Sequence, residues 1–188
     1  MGSRQPHALL LTGSPGIGKT TVLRRATERL ADLEICGFTT EEIREAGQRV
    51  GFRIETFGGR SDVLAHVKIR SPHKISRYGV DLAALDRVVR DEFSPPLADV
   101  VFIDEIGKME SLSPRFVQTV ESLVDSAKVF VATVALRGEG FIERVKRRPD
   151  VLLWTVSRVN REEMAAKVAD WVRSRLSCSS PPDGRGLG

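Results

Sequence analysis

The sequence predicts an α/β fold with three layers, in which helices cover both faces of a mostly parallel sheet. Short apolar segments typical of strands alternate with amphipathic segments typical of helices, which is the order that parallel sheets require. Two of the strand-like segments, 8–12 and 100–103, are almost entirely apolar, as central parallel strands are. Between them, residues 49–57 alternate apolar and polar side chains, and 61–67 can return beside them. This middle region predicts an antiparallel meander at one edge of the sheet.

The composition is that of an ordinary globular protein with a modest basic excess. The 188 residues are 41% hydrophobic and 29% charged, with a net charge of +4 and a pI near 9.4. The basic residues are spread along the chain, which favours a solvated basic surface over a nucleic-acid site, and nucleic-acid binding stays open as an alternative. The apolar runs reach only about five residues, too short for a membrane span, and no secretory signal is recognised. We therefore expect a cytoplasmic protein that does not bind a membrane.

Residues 13–21 match the spacing G-x-x-x-x-G-K-[ST] of a phosphate-binding loop. They follow the first strand and precede a helix whose apolar residues recur from Val22 to Leu30. Such a loop surrounds phosphates with backbone N–H groups and with the positive end of the helix dipole. The nucleotide-binding residues predicted here are Gly13, Ser14, Pro15, Gly16, Ile17, Gly18, Lys19, Thr20 and Thr21.

Two side chains of this loop have predicted chemical roles. Lys19 is expected to reach the β- and γ-phosphates, so we count it as catalytic. The Thr20 hydroxyl is expected to bind Mg²⁺, which is therefore the predicted cofactor.

Two carboxylates follow the second apolar strand, at Asp104 and Glu105. An acid at the carboxyl end of a parallel strand lies where ligands bind in open α/β sheets. Asp104 is expected to hold Mg²⁺ together with Thr20, and Glu105 can accept a proton from an attacking water as general base. Asp104, Glu105 and the nearby Gly107 complete the predicted nucleotide-binding set.

A later strand, predicted over 128–136, supplies two further candidates. Strands of this kind often lie between the strand of the phosphate loop and the strand of the acids. Thr133 can then sense the γ-phosphate, and Arg137, just past the strand, can stabilise transition-state charge as a catalytic arginine finger. Packing and surface roles stay open for both residues.

The remaining segments complete one domain, predicted to span 1–176, followed by a disordered tail over 177–188. The tail is rich in Ser, Pro and Gly. The basic, turn-rich segment 68–80 is predicted to be a loop, and Asp81 and Ser113 are predicted helix N-caps. Further helices are predicted over 80–93, 113–126, 138–148 and 160–176, with a strand over 151–156.

Several sequence strings together resemble one family. They are Gly-Phe-Thr-Thr-Glu-Glu-Ile-Arg at 37–44, Gly-Phe at 51–52, Arg-Tyr-Gly-Val-Asp-Leu at 77–82, Ile-Asp-Glu-Ile-Gly-Lys-Met-Glu at 103–110 and Asn-Arg at 160–161. In this order, after the phosphate loop, they resemble the small P-loop nucleoside-triphosphatases. That family includes thermostable archaeal and bacterial enzymes and the cancer-related nucleoside-triphosphatase of animals. The resemblance covers about residues 8–175.

The resemblance implies a P-loop NTPase fold with a RecA-like sheet, Mg²⁺ dependence, and slow hydrolysis of several nucleoside triphosphates to diphosphate and phosphate. It also implies that residues 13–21 bind phosphates and that Asp104 and Glu105 serve the metal and the water. The sequence departs from the family pattern at Thr39, Ser76 and Ser111. The first two lie in loops expected over the nucleotide, so base preference stays open.

Three functions are compatible with these observations. The preferred one is Mg²⁺-dependent hydrolysis of ATP, GTP, CTP and UTP by a monomer. The alternative is a kinase for a nucleotide, a nucleoside or another small molecule, with the acceptor held by segments 37–67 and 68–80. The third is a nucleotide-dependent switch or a nucleic-acid-associated protein, which the basic pI near 9.4 favours.

Overall fold

One mixed sheet organises the protein, as seen in a computed structural model that describes residues 6–95 and 97–179. Within those residues the sheet has nine strands in the order β5-β6-β4-β3-β2-β7-β8-β1-β9. The strands are β1 (Ala8–Thr12), β2 (Ile35–Glu45), β3 (Gln48–Thr56), β4 (Ser61–His66), β5 (Lys74–Ile75), β6 (Tyr78–Val80), β7 (Val100–Ile106), β8 (Val129–Val134) and β9 (Val151–Thr155).

Helices cover both faces of this sheet. They are α1 (Lys19–Glu28), α2 (Leu82–Glu92), α3 (Pro114–Asp125), α4 (Phe141–Lys146) and α5 (Arg161–Ser179). Successive side chains of a strand point to opposite faces. Leu9 and Leu11 of β1 therefore pack with α1 and α5, whereas Leu10 packs in the core shared with α2, α3 and α4. The three-layer α/β arrangement predicted from the sequence is confirmed.

Strand direction divides the sheet into two parts. Strands β2, β7, β8, β1 and β9 are parallel neighbours, whereas β3, β4, β6 and β5 continue beyond β2 in antiparallel pairs. β2 belongs to both parts, because its first half pairs with β7 and its second half pairs with β3. The predicted meander at one edge is confirmed, and the long strand β2 joins it to the parallel core.

The segment 68–80, predicted to be a loop, contains the short strands β5 and β6. The prediction was wrong here because these strands are formed by close approach of the backbone and not by a hydrophobic pattern. A Cβ at Gly79 would lie 2.0 Å from the backbone oxygen of Ile69, so β6 can pass there only with a glycine. The backbone N–H of Val80 also donates to the carbonyl of His73, at 2.8 Å.

The helix caps agree with the predictions, and several ends shift. The Asp81 side chain accepts a hydrogen bond from the backbone N–H of Ala84 at 2.9 Å, and Ser113 accepts one from Phe116 at 3.0 Å. The helix predicted over 138–148 is only the short α4. At the carboxyl end, α5 continues to Ser179, past the predicted end at 176 and into the first residues of the tail predicted over 177–188. The rest of that tail, 180–188, lies outside the described residues. Within the part of the chain that the structure covers, no helix is long and apolar enough to cross a bilayer.

Candidate active site

The predicted phosphate loop lies between β1 and the first turn of α1. Gly18 has a φ of 104° and forms the left-handed N-cap of α1, a conformation that favours glycine. A Cβ at Gly13 would lie 2.6 Å from the backbone oxygen of Val156, so the loop can follow the end of β9 this closely only with a glycine. Lys19 Nζ donates to the Gly13 carbonyl at 3.3 Å, which holds the ammonium group over the loop.

The predicted acids lie beside this loop because β8 is the strand between β1 and β7, as expected from the sequence. The ladder between β7 and β8 shifts register between Ile103 and Ile106, so Asp104 and Glu105 together face the single residue Thr133. Such bulges redirect side chains and are frequent next to active sites.

Asp104 is buried under the loop, with 1% of its surface exposed. Thr133 donates a hydrogen bond from its hydroxyl to Asp104 Oδ1. The other carboxylate oxygen, Oδ2, is buried and has no hydrogen-bond partner among residues 6–95 and 97–179. Burial raises the pKa of Asp104, and the nearby hydroxyls of Thr133 and Thr20 oppose that rise. The hydroxyl of Thr133, which the sequence analysis proposed as a sensor of the γ-phosphate, therefore contacts the carboxylate of Asp104.

Glu105 is half-buried and faces the same cleft as the phosphate loop. Burial raises the pKa of its carboxyl, the positive charge of Lys19 opposes the rise, and the neighbouring Asp104 adds to it. A carboxyl group in this environment holds a proton more readily than an exposed glutamate does.

One cleft of about 850 Å³ brings most of the predicted site residues together, and we call it the main cleft. The predicted residues that line it are Gly13, Pro15, Gly16, Gly18, Lys19, Thr20, Thr21, Glu105 and Arg137. Four others lie elsewhere. Ser14 is exposed, Ile17 packs on the core under α1, and both Asp104 and Gly107 are buried beneath the cleft.

Arg137 lies just past β8 and reaches the rim of the main cleft. It is exposed, and its guanidinium forms no ion pair or hydrogen bond with the residues that the structure describes. The opposite wall of the cleft comes from β2 and β3, through Thr40, Glu41, Glu42, Arg49 and Phe52. The sequence analysis quoted four of these residues within the family strings at 37–44 and 51–52 and named segment 37–67 for an acceptor, but it assigned no role to any single side chain of the wall.

Glu110 is a second residue that the sequence analysis missed as a site residue. It begins a short 3₁₀ turn over Glu110–Leu112 and is buried, with 6% of its surface exposed. A Cβ at Gly107 would lie 2.9 Å from Glu110 Oε2 and 3.7 Å from the carboxyl carbon of Glu105, so both carboxyl groups lie against this glycine. Burial raises the pKa of Glu110 to about 8, and the charges of Glu105 and Asp104 add to the rise.

Glu110→Gln is expected to change how stability depends on pH. The folded-state pKa of Glu110 is about 8 and the reference value is 4.5, so its stabilising contribution is full below pH 4.5 and is lost as pH rises through 8. Gln cannot ionise. Relative to this variant, the wild type should therefore lose at least about 1 kcal/mol of unfolding free energy across that range. Urea unfolding in metal-free buffer at several pH values measures the difference.

The control is Glu121→Gln, at a partly exposed position of α3 whose carboxylate pairs with Arg144. Its unfolding free energy should follow that of the wild type at each pH. The buried, protonated state of Glu110 would be contradicted if the unfolding free energies of the wild type and of Glu110→Gln differed by the same amount from acidic to alkaline pH.

The fold and the site together define a P-loop nucleotide-binding enzyme. A buried parallel strand leads into a glycine-rich loop and a helix, and a neighbouring parallel strand ends in acids beside that loop. A family model described as NTPase matches residues 8–169. The chain therefore belongs to this NTPase family and is a nucleoside-triphosphatase, which confirms the resemblance found in the sequence.

Individual relatives agree with this assignment over most of their length. The nucleoside-triphosphatase THEP1 of Thermotoga sp. strain RQ2 is 39% identical over 162 residues, which are 85% of this chain and 92% of the relative. The cancer-related nucleoside-triphosphatase of Homo sapiens is 32% identical over 183 residues, covering 88% and 96%. The crystal structure of THEP1 from Aquifex aeolicus superposes with a TM-score of 0.77 at 28% identity, covering 88% of this chain and 98% of that one.

Proposed function

We propose that the protein hydrolyses the terminal phosphoanhydride of several nucleoside triphosphates in a Mg²⁺-dependent reaction, giving nucleoside diphosphate and phosphate. The observation that carries this proposal is the shared cleft of Lys19 and Glu105, which puts a cation for the phosphates and a carboxylate for water on one surface. The amides of residues 13–21 cradle the phosphates, and Lys19 binds the β- and γ-phosphates.

The residues available for a metal fit Mg²⁺. Asp104 Oδ2 is a buried carboxylate oxygen without a partner in the described residues, and the Thr20 hydroxyl lies close to the same carboxylate. Mg²⁺ is usually held by one or two protein oxygens together with substrate phosphates, so Thr20 and Asp104 are the proposed ligands. When bound, the ion supplies neutralisation of phosphate charge.

Glu105 is the proposed general base, and Arg137 is the proposed cation for the transition state. Water forms a bond to the γ-phosphorus while the bond from that phosphorus to the bridging oxygen breaks, and the proton of the water passes to Glu105. Arg137 is free to approach the transferred phosphoryl group, because no partner among the described residues holds its guanidinium. Gly107 packs against the side chain of Glu105.

A second, smaller opening supports a broad base range. It has a volume of about 220 Å³ and adjoins the loop at Gly18 and Thr21, and we call it the side opening. Its outer wall is formed by Arg25, Arg161 and Glu162, and Arg25 is paired with Glu162 at 3.0 Å. Exposed charged side chains of this kind contact any base and its sugar without a fixed hydrogen-bond pattern, so discrimination between bases is expected to be weak.

The elements of one chain complete the proposed site, which supports action as a monomer. The phosphate loop, the acids and Arg137 all line or underlie one cleft of a single chain. Because β1 pairs with β8 and β9, and α1 packs on α5, we also propose that residues 1–176 act as one catalytic domain.

Lys19→Ala is expected to lower Mg²⁺-dependent phosphate release by at least about 100-fold, because it removes the cation that stabilises the transferred charge. Release is measured with ATP, GTP, CTP and UTP, with Mg²⁺ and with EDTA. Comparable release from all four in the wild type, lost with EDTA, is the expected pattern.

The control is Lys167→Ala, at an exposed position of α5 away from the cleft. It should retain wild-type turnover. Equal activity of Lys19→Ala and Lys167→Ala would refute the assignment of Lys19, and wild-type activity in EDTA would refute the Mg²⁺ requirement.

A further inference from the structure

The phosphate loop borders two openings, and their lining residues are compatible with one orientation of a nucleoside triphosphate. Lys19 and Glu105 line the main cleft, so the γ-phosphate end of the substrate belongs there. Gly18 and Thr21 line both the main cleft and the side opening. With the phosphate chain crossing from one to the other, the nucleoside of the triphosphate would lie in the side opening. In this orientation, the residues of β2 and β3 that line the main cleft lie beyond the γ-phosphate. We call them the β2–β3 wall: Thr40, Glu41, Glu42, Arg49 and Phe52.

The group that attacks the γ-phosphorus must lie in the part of the main cleft beyond the γ-phosphate. An in-line attack on the γ-phosphorus comes from the side opposite the bridging oxygen, which in this orientation is the side of β2 and β3. A water molecule occupies about 30 Å³ in the liquid. The main cleft has about 850 Å³ in total, of which the triphosphate fills the part over the loop. The main cleft as a whole therefore has the volume of a small-molecule site.

The side chains of the β2–β3 wall are chemically varied and contact one another or the neighbouring helix α1. Arg24 pairs with Glu41 at 2.5 Å, and Arg49 pairs with Glu42 at 2.8 Å. The Arg49 guanidinium also lies 5.2 Å from the centre of the Phe52 ring. These contacts place an aromatic side chain and two carboxylates side by side on the wall, which gives a small molecule several groups to bind that attack by water does not need.

We infer that this wall binds a second substrate, a nucleoside, whose hydroxyl group accepts the γ-phosphoryl group. Phe52 offers apolar ring surface for the planar base beside the Arg49 guanidinium. The carboxylates of Glu41 and Glu42 keep lone pairs beyond those that their arginines use, and these accept hydrogen bonds from sugar hydroxyls. Arg49 of the wall and Arg24 of α1 each pair with a carboxylate, which offsets their positive charge, so the wall suits an acceptor without a phosphate of its own.

The reaction balances with the residues already assigned. The hydroxyl oxygen of the nucleoside forms a bond to the γ-phosphorus, and the bond from that phosphorus to the bridging oxygen breaks. The hydroxyl proton passes to Glu105, and the products are a nucleoside monophosphate and a nucleoside diphosphate. Hydrolysis is then the same step with water in place of the acceptor. The inference rests on the proposed function, because it uses the same triphosphate site and the same base.

The test uses the full-length protein with Mg²⁺ and ATP labelled on its γ-phosphate. Adenosine, guanosine, cytidine and uridine are supplied one at a time, and chromatography separates labelled nucleoside monophosphate from free phosphate. With at least one nucleoside, transfer is expected to exceed phosphate release by about 10-fold or more, because a bound hydroxyl is oriented and water is not.

The possible failures are distinguishable. Phosphate release that continues without any labelled nucleoside monophosphate would overturn the second-substrate site and leave the hydrolase intact. If neither labelled nucleoside monophosphate nor free phosphate is formed, both proposals are overturned. Transfer to nucleoside monophosphates, supplied in parallel, but not to nucleosides would also overturn the inference, because it requires an acceptor that carries phosphate.

The substitution Phe52→Leu tests whether the acceptor nucleoside binds at the β2–β3 wall. Leucine keeps apolar contact with Tyr78, whose ring lies 5.3 Å from that of Phe52, but it loses the aromatic surface. We expect the KM for the nucleoside to rise and the ratio of transfer to hydrolysis to fall by about 10-fold. The control is Val63→Ala, on β4 and 42% exposed, which should keep the wild-type ratio. An unchanged ratio in Phe52→Leu would show that the acceptor does not bind at this wall.

Discussion

Glu105→Gln is expected to cut the turnover of nucleoside triphosphates by at least about 100-fold, the size of effect that a general base supplies. Glutamine keeps the shape of the side chain and its place in the cleft, but it cannot accept the proton of the attacking water. Nucleotide affinity should stay close to that of the wild type, because the phosphate contacts come from the loop and Lys19. Phosphate release measures turnover, and titration with a fluorescent nucleotide measures affinity.

A matched control for this variant is Glu139→Gln, an exposed glutamate near Arg137. It makes the same chemical change outside the lining of the main cleft and should retain turnover. Near-normal turnover in Glu105→Gln would exclude this residue as the base. Loss of both turnover and affinity would instead assign Glu105 to nucleotide binding.

Gly37→Ala should strongly lower the free energy of unfolding, because the added methyl group has no room. Gly37 has a φ of +117°, and a Cβ there would lie 1.8 Å from the backbone oxygen of Phe102. Relief of this clash requires β2 to separate from β7, at the junction between the parallel core and the meander. We expect a loss of about 3 kcal/mol or more in unfolding free energy, measured by urea titration.

Gly47→Ala separates the clash from the backbone conformation. Gly47 also has a positive φ, +78°, but it lies in the turn between β2 and β3 with no atom within 4 Å of the added carbon. Its substitution should cost only about 1 kcal/mol, the usual penalty for a left-handed alanine. Similar losses at Gly37 and Gly47 would mean that the clash with Phe102 is not what makes glycine necessary.

The phosphate loop and the acids were predictable because local sequence dictates them. The spacing of Gly13, Gly18 and Lys19 follows from how a backbone wraps a phosphate, and an apolar strand ending in Asp104 follows from burial in a parallel sheet. Both signals lie within about ten residues of chain. The strand between them was also expected, and β8 does lie between β1 and β7.

Other parts of the site depend on contacts between distant segments. The strands β5 and β6 form where Gly79 lies against Ile69, and no periodicity marks that approach. Glu110 shows no local sign of burial, since an isolated glutamate after a turn is usually exposed. Arg49 and Phe52 are ordinary strand residues until the order of strands brings β3 next to β2 and over the cleft.

By itself, the sequence determined the α/β class, the phosphate loop, the acids beside it and the family of the chain. These are properties of short segments, because periodicity, glycine spacing and a charged residue at a strand end act locally. Only the tertiary structure decided which side chains share the cleft with those segments. The bulge at Asp104 and Glu105, the buried carboxyl of Glu110 and the wall of β2 and β3 arise from strand order and close packing, which join residues far apart in the chain.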